Sequence, residues 1–108
     1  MFTTLSGDNN LTIFQSDSLL EGWKPIHSQE IMHSRSAGNI FEHEGKLVRP
    51  VQDGTEYGKQ IYFKEISLAP YVENVIGEIK PTWYDGLTGT HTYNVSDKYI
   101  VIDGRIPL

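Results

Sequence analysis

Short apolar runs separated by turn residues make up most of this sequence. The densest runs are Ile61–Phe63, followed by Ile66, and Tyr99–Ile102. Gly, Pro, Asn and Asp interrupt the chain at intervals of roughly ten residues, a spacing typical of strands joined by turns. The pattern predicts an all-β fold, an antiparallel meander of about six to eight short strands.

The segment Ser34–Asp53 predicts a hairpin around which the other runs are arranged. Ile40 and Phe41 precede the turn at residues 43–46, and Leu47 and Val48 follow it. Gly45 suits that turn because glycine readily adopts the positive φ that hairpin loops require. Polar residues lie towards the strand ends rather than in the middle of the hairpin: Arg35, Arg49, Gln52 and Asp53.

Further strands are predicted near residues 11–15, 59–67, 88–95 and 99–102, with Tyr57-Gly58 at the start of the second of these. Residues 1–10 are predicted to be a turn or a loose end, and Trp23 and Pro25 are predicted to lead into an extended connector. Ser18 and Glu21 have the spacing of a capping box, which allows one helical turn before Gly22. Residues 68–80 fit both a helix and a strand. Because strands surround this segment and Gly77 disfavours a helix interior, a strand is favoured.

Composition and charge limit the classes of molecule that this chain is expected to bind. The chain has 108 residues and a net charge of −5, with 9 basic and 14 acidic residues. This length fits a single domain or a piece of a larger one. The basic residues do not cluster, which argues against binding to nucleic acid or to an anionic membrane surface.

The absence of cysteine excludes disulfides and thiolate metal sites. No signal peptide and no apolar run long enough to span a bilayer is visible in the sequence. These features fit a reducing compartment, and we expect a cytoplasmic protein.

Several polar residues are candidates for chemistry. The four histidines lack the spacing of a zinc-binding helix, so neither a metal nor another cofactor is expected. Among the carboxylates, Asp53 and Asp103 precede glycines and also suit turns, whereas Glu65 and Glu73 are expected on an exposed strand face. Four residues have side chains that can donate to sugar hydroxyls or phosphates, and ligand binding is their favoured role: Arg35, Arg49, Gln52 and His91. The alternative is ordinary surface pairing, such as that of Arg49 with Asp53.

A series of short motifs resembles one propeller family. The motifs are SRSAGNIF at 34–41, GKLVRPVQD at 45–53, Tyr57-Gly58, Glu65-Ile66 and HTYN at 91–94. The series is similar to that of the glycoside-hydrolase-like five-bladed β-propeller domain of glucosamine inositolphosphorylceramide transferases. Bacterial relatives of that domain occur beside formyltransferase-like domains. The strand, turn and tryptophan at residues 14–23 also look like the end of a preceding blade.

The resemblance implies a carbohydrate-related module that binds or processes a sugar or sugar phosphate, and it leaves open whether the module is catalytic. Asp53 would be the acid/base or orienting carboxylate. The implied ligand-binding residues are Arg35, Asn39, Arg49, Gln52 and His91. The alternative is a non-catalytic structural or assembly module, in which Arg49, Gln52 and Asp53 form a hydrogen-bonded corner.

The resemblance also implies that residues 1–108 are the C-terminal part of a larger propeller, about two of its five blades. The alternative is a single all-β domain. Two blades alone leave open strand edges and an uncovered sheet face. Such a chain is expected to self-associate as a homo-oligomer, to rearrange, or to be a fragment of a longer gene product.

Overall fold

The structure, a computed structural model, describes residues 1–4 and 9–108. The described residues form nine strands and no helix. The strands are β1 (Phe2–Thr4), β2 (Asn10–Gln15), β3 (Lys24–Glu30), β4 (Phe41–His43), β5 (Lys46–Gln52), β6 (Ile61–Leu68), β7 (Tyr71–Ile79), β8 (Tyr93–Val95) and β9 (Ile100–Ile102).

Every strand pair is antiparallel and connects strands that are consecutive in sequence. β1, β2 and β3 form a first sheet, β4 to β7 form a central sheet, and β8 and β9 form a two-stranded ribbon. In the central sheet Arg49 lies opposite Lys64, and Ile66 lies opposite Glu73. Because directly opposed residues share a face of the sheet, this register fixes which charged side chains meet.

The central sheet lies between the other two sheets. On one side, the Tyr71 ring contacts Phe2 and His27, with ring centroids 5.9 and 4.9 Å apart. On the other side, Tyr93 of the ribbon packs against Phe63 at 5.0 Å. The buried apolar side chains lie in the first and central sheets and in the segment before β4: Leu11, Ile13, Ala37, Val48, Val51, Ile61 and Ile66. Burial of apolar surface within and between the sheets therefore stabilises the fold.

The all-β prediction is confirmed, and so are the hairpin at residues 43–46 and the strand between residues 68 and 80. The predicted number of strands, six to eight, is lower than the nine of the described residues, because the three-residue strand β1 is defined by its pairing with β2 rather than by an alternating pattern. The strand predicted at 88–95 is only Tyr93–Val95. Residues 57–58 form a turn rather than the start of a strand.

The helical turn considered near Ser18 does not form. Residues 17–21 are a series of bends in which the Ser16 hydroxyl accepts from the Ser18 amide and donates to the Glu21 carbonyl. The loose end predicted at residues 1–10 is wrong for Phe2–Thr4, which form β1, and its residues 5–8 lie outside the described part. In the described ranges no helix is long and apolar enough to cross a membrane.

Candidate functional site

Arg49, a predicted ligand-binding residue, is buried inside the protein. One guanidinium nitrogen, Nη1, donates to the Ser34 carbonyl at 2.8 Å, and the group lies 5.5 Å from the centre of the Phe2 ring. The other nitrogen, Nη2, lies 3.3 Å from Oε2 of Glu73. Arg49 therefore pairs with Glu73, not with Asp53, and it connects the central sheet to both β1 and the segment before β4.

Glu73 is the centre of a buried charged cluster that was not predicted from the sequence. Its side chain accepts hydrogen bonds from Arg49, Lys64 and the Tyr71 hydroxyl. The side chains of Arg49, Lys64 and Glu73 are only 1, 3 and 5% exposed. The expectation of an exposed position is therefore wrong for Glu73, whereas Glu65 is partly exposed and pairs with Lys46.

Burial and pairing shift the pKa values in this cluster. Burial lowers the pKa of Lys64 and outweighs the opposing effect of Glu73. Burial acts to raise the pKa of Glu73, but the hydrogen bonds from Lys64 and Tyr71 and the nearby cations hold it below its ordinary value of 4.5. Burial and the hydrogen bond to Glu73 raise the pKa of the Tyr71 hydroxyl. One carboxylate thus neutralises part of the charge of two buried cations.

Gln52 and Asp53 both make hydrogen bonds that fix the conformation of the chain where β5 ends. The Gln52 amide donates to the Ser36 carbonyl at 2.9 Å. Oδ1 of Asp53 accepts from the amide and hydroxyl of Thr55, at 2.7 and 2.6 Å, which is the pattern of an Asx turn. Burial acts to raise the pKa of Asp53, but these donors and the amide of Glu56 hold it below 3.8. The acid/base role of Asp53 stays a prediction.

Asn39 connects the segment before β4 to the ribbon. Its side-chain amide donates to the Val95 carbonyl and accepts from the Val95 amide, both at 3.1 Å. The Asn94 side chain in turn accepts from the Asn39 amide at 3.0 Å. Asn39 thus resembles a strand residue paired with β8, although the residue itself is exposed.

His91 and Asp103 form a pair at the surface. Nδ1 of His91 contacts Oδ2 of Asp103, while Oδ1 accepts from the amides of His91 and Thr92, each at 2.8 Å. Burial acts to raise the pKa of Asp103, but these amides and the His91 ring hold it below 3.8. The two side chains are about one third exposed. A carboxylate on Nδ1 fixes the orientation of the imidazole.

Tyr57 lies between His91 and Arg35 on the same surface. The rings of Tyr57 and His91 are 5.6 Å apart in an edge-on arrangement, and the Arg35 guanidinium carbon lies 5.2 Å from the centre of the Tyr57 ring. Arg105 lies close to Gly58, since a Cβ there would be 3.5 Å from its Nη1. We call Arg35, Tyr57, His91 and Asp103 the Tyr57 surface.

Among the predicted site residues, the structure thus brings Arg35 and His91 together, while Arg49 and Gln52 are buried elsewhere and Asn39 pairs with β8. Tyr57 and Asp103 were not among the site residues predicted from the sequence. The available signal was that Tyr57-Gly58 and His91-Thr92 both belong to the motif series. Their proximity depends on a long-range hydrogen bond, from the Thr90 amide to the Lys59 carbonyl at 3.2 Å.

The part of the chain that the structure describes contains no group of three or more side chains arranged to hold a metal ion. A cavity of about 690 Å³ lies between the first sheet and the β6–β7 turn, and it is lined mainly by apolar residues such as Phe2, Phe14 and Pro70. None of the predicted site residues lines it. No protein-family model, curated protein or solved structure matches the chain.

Proposed function

We propose that this chain is a carbohydrate-related β module that binds a sugar or sugar phosphate at the Tyr57 surface. One observation carries the proposal. Three separate pieces of the motif series, at Arg35, Tyr57 and His91, converge although they are far apart in the sequence. Ligand sites typically combine apolar or aromatic side chains with a few convergent polar groups.

The chemistry of the Tyr57 surface suits a sugar. Tyr57 is 57% exposed, so one part of its ring is available to pack against the apolar C–H face of a sugar. Arg35 supplies planar N–H donors for hydroxyl or phosphate oxygens. His91, oriented by Asp103, directs a second polar group towards the same ligand. The carboxylate of Asp103 is paired with His91, so the cations Arg35 and Arg105 favour an anionic phosphate over a neutral sugar.

A structural or assembly role is the second candidate, and the buried contacts of Arg49 and Gln52 favour it. Both side chains bond to carbonyl groups of residues 34–36, as a structural corner would. In that case their substitution lowers stability and changes no ligand response. The two candidates differ in what happens at the Tyr57 surface.

The test is a binding titration of the wild-type chain with glucose, glucosamine, glucose 6-phosphate and glucosamine 6-phosphate, followed by NMR. We expect saturable binding of at least one phosphorylated sugar below about 10 mM, which corresponds to a few kcal/mol of binding free energy. Tyr57→Ala should weaken binding at least about tenfold, a loss of about 1.4 kcal/mol.

Tyr84→Ala is the matched control, because Tyr84 is similarly exposed and lies outside the Tyr57 surface. Circular dichroism and urea unfolding of both variants establish that they remain folded. Equal weakening by the two substitutions, or no saturable binding by any of the four sugars, refutes the proposal.

A further inference from the structure

β9 has an apolar edge that is open in the described part of the chain. It pairs with β8 on one side, and no described strand lies along its other side. Ile100 and Val101 are each 63% exposed. A two-stranded ribbon is only marginally stable by itself, and an exposed apolar edge strand is a template for pairing with another chain.

Longer edge strands of the central and first sheets are protected in ways that β9 is not. β3 contains Pro25 and a charged residue at each end, and β7 contains Glu73 and Glu78. Charges and proline are the usual protection against edge-to-edge pairing. β9 consists of Ile-Val-Ile and has neither. A strand with apolar residues on both faces is typical of the interior of a sheet.

The hydrogen-bond pattern fixes which groups face the open edge. The Ser96 amide donates to the Tyr99 carbonyl, and the Asp103 amide donates to the Thr92 carbonyl. Because hydrogen-bonded pairs alternate along an antiparallel ladder, Val101 and Asn94 form the hydrogen-bonded pair between them. The amide and carbonyl groups of Ile100 and Ile102 therefore point away from β8, towards the open edge.

We propose that β9 pairs with β9 of a second copy of this chain, antiparallel and centred on Val101. The Ile-Val-Ile sequence is palindromic, so this register places Ile100 of each copy opposite Ile102 of the other. Those are the residues whose backbone groups face the open edge. The pairing would complete a four-stranded sheet, β8-β9-β9-β8, with as many strands as the central sheet.

Charges at the two ends fit the same register. Continuing it places the end of one ribbon that contains Asp97 and Lys98 towards the end of the other that contains Asp103 and Arg105, so each end carries one charge of either sign. A two-fold axis repeats this arrangement twice, as in any isologous interface. The self-complementary sequence favours a second copy over an unrelated strand, and the register brings no two ends of like net charge together.

The register makes a sharp test available, because the chain contains no cysteine. Val101 would face Val101 of the second copy as a non-hydrogen-bonded pair, with Cα atoms about 4.5 Å apart, within the range that a disulfide spans. Val101→Cys should therefore form a disulfide-linked dimer on mild oxidation. Val72→Cys on β7 is the matched control, since Val72 is also an exposed strand valine, and it should remain mostly monomeric.

Light scattering coupled to gel filtration supplies the second measurement. The wild-type chain should have twice the monomer mass, and Val101→Lys should raise the dimer dissociation constant at least about tenfold, while Val72→Lys leaves it unchanged. Circular dichroism identifies any unfolded variant. If Val101→Lys is unfolded, cross-linking of Val101→Cys, the more conservative change, still tests the pairing. A monomeric wild-type chain, or equal cross-linking at residues 72 and 101, overturns the proposal.

Discussion

Replacing Glu73 by glutamine tests the role of the buried charged cluster. The substitution keeps the shape of the side chain but removes the negative charge that Arg49 and Lys64 share. Both cations then remain almost completely buried, facing an amide that neutralises neither. The backbone carbonyls of Ser34 and Met32, 2.8 and 2.7 Å from the two cations, still accept hydrogen bonds but carry no full charge.

The distances set the size of the effect. For the 3.3 Å separation of Arg49 and Glu73, Coulomb attraction at an effective dielectric constant of about 20 is roughly 5 kcal/mol before desolvation. Breaking buried ion pairs typically costs about 3–5 kcal/mol because an uncompensated charge remains. We therefore expect Glu73→Gln to lower the free energy of unfolding by about 3–5 kcal/mol. A loss of that size is a large part of the stability of a small domain.

Urea unfolding followed by circular dichroism measures the loss. Glu65→Gln is the control, because it makes the same chemical change at the exposed pair with Lys46, and it should cost at most about 1 kcal/mol. Adding Lys64→Met to Glu73→Gln removes one uncompensated cation and should recover part of the loss. Equal effects of the two glutamine substitutions, or no recovery in the double variant, would refute this account of the cluster.

Three further predictions concern pH, a glycine and a turn. The pKa of Glu73 is below 4.5 in the folded protein, so the unfolded chain binds more protons than the folded protein near and below pH 4.5. The free energy of unfolding should therefore fall as the pH drops below about 4.5, and it should fall less steeply in Glu73→Gln. Urea midpoints measured across that pH range test this. A Cβ on Gly38 would overlap the Tyr93 carbonyl oxygen, so Gly38→Ala should cost about 1–3 kcal/mol in the same unfolding assay; Gly77→Ala, where a Cβ meets only ordinary contacts, should cost clearly less. Asp53→Asn should weaken the turn at residues 53–56 by about 1 kcal/mol and leave sugar-phosphate binding unchanged, whereas a selective loss of binding would favour the predicted role of Asp53 at the ligand.

The sequence by itself determined the strands with clear local signals. Alternating or dense apolar residues separated by glycine, proline and aspartate predicted the hairpin at residues 43–46 and the strands near residues 11–15, 59–67 and 99–102. These signals are local because a strand is defined by its own side-chain alternation and a turn by the φ values that a few residues allow. For the same reason, the three-residue strand β1 was not predicted, since its pairing with β2 defines it.

Only the tertiary structure decided which polar residues are buried and which are exposed together. Arg49 and Glu73 are 24 residues apart, and the register of β5, β6 and β7 brings them into one buried cluster. Arg35, Tyr57 and His91 meet at one surface because separate loops pack against each other. Sequence alone gives the donors and charges, but the free energy of a charge depends on its partners and its exposure to water, which the packing of the three sheets sets.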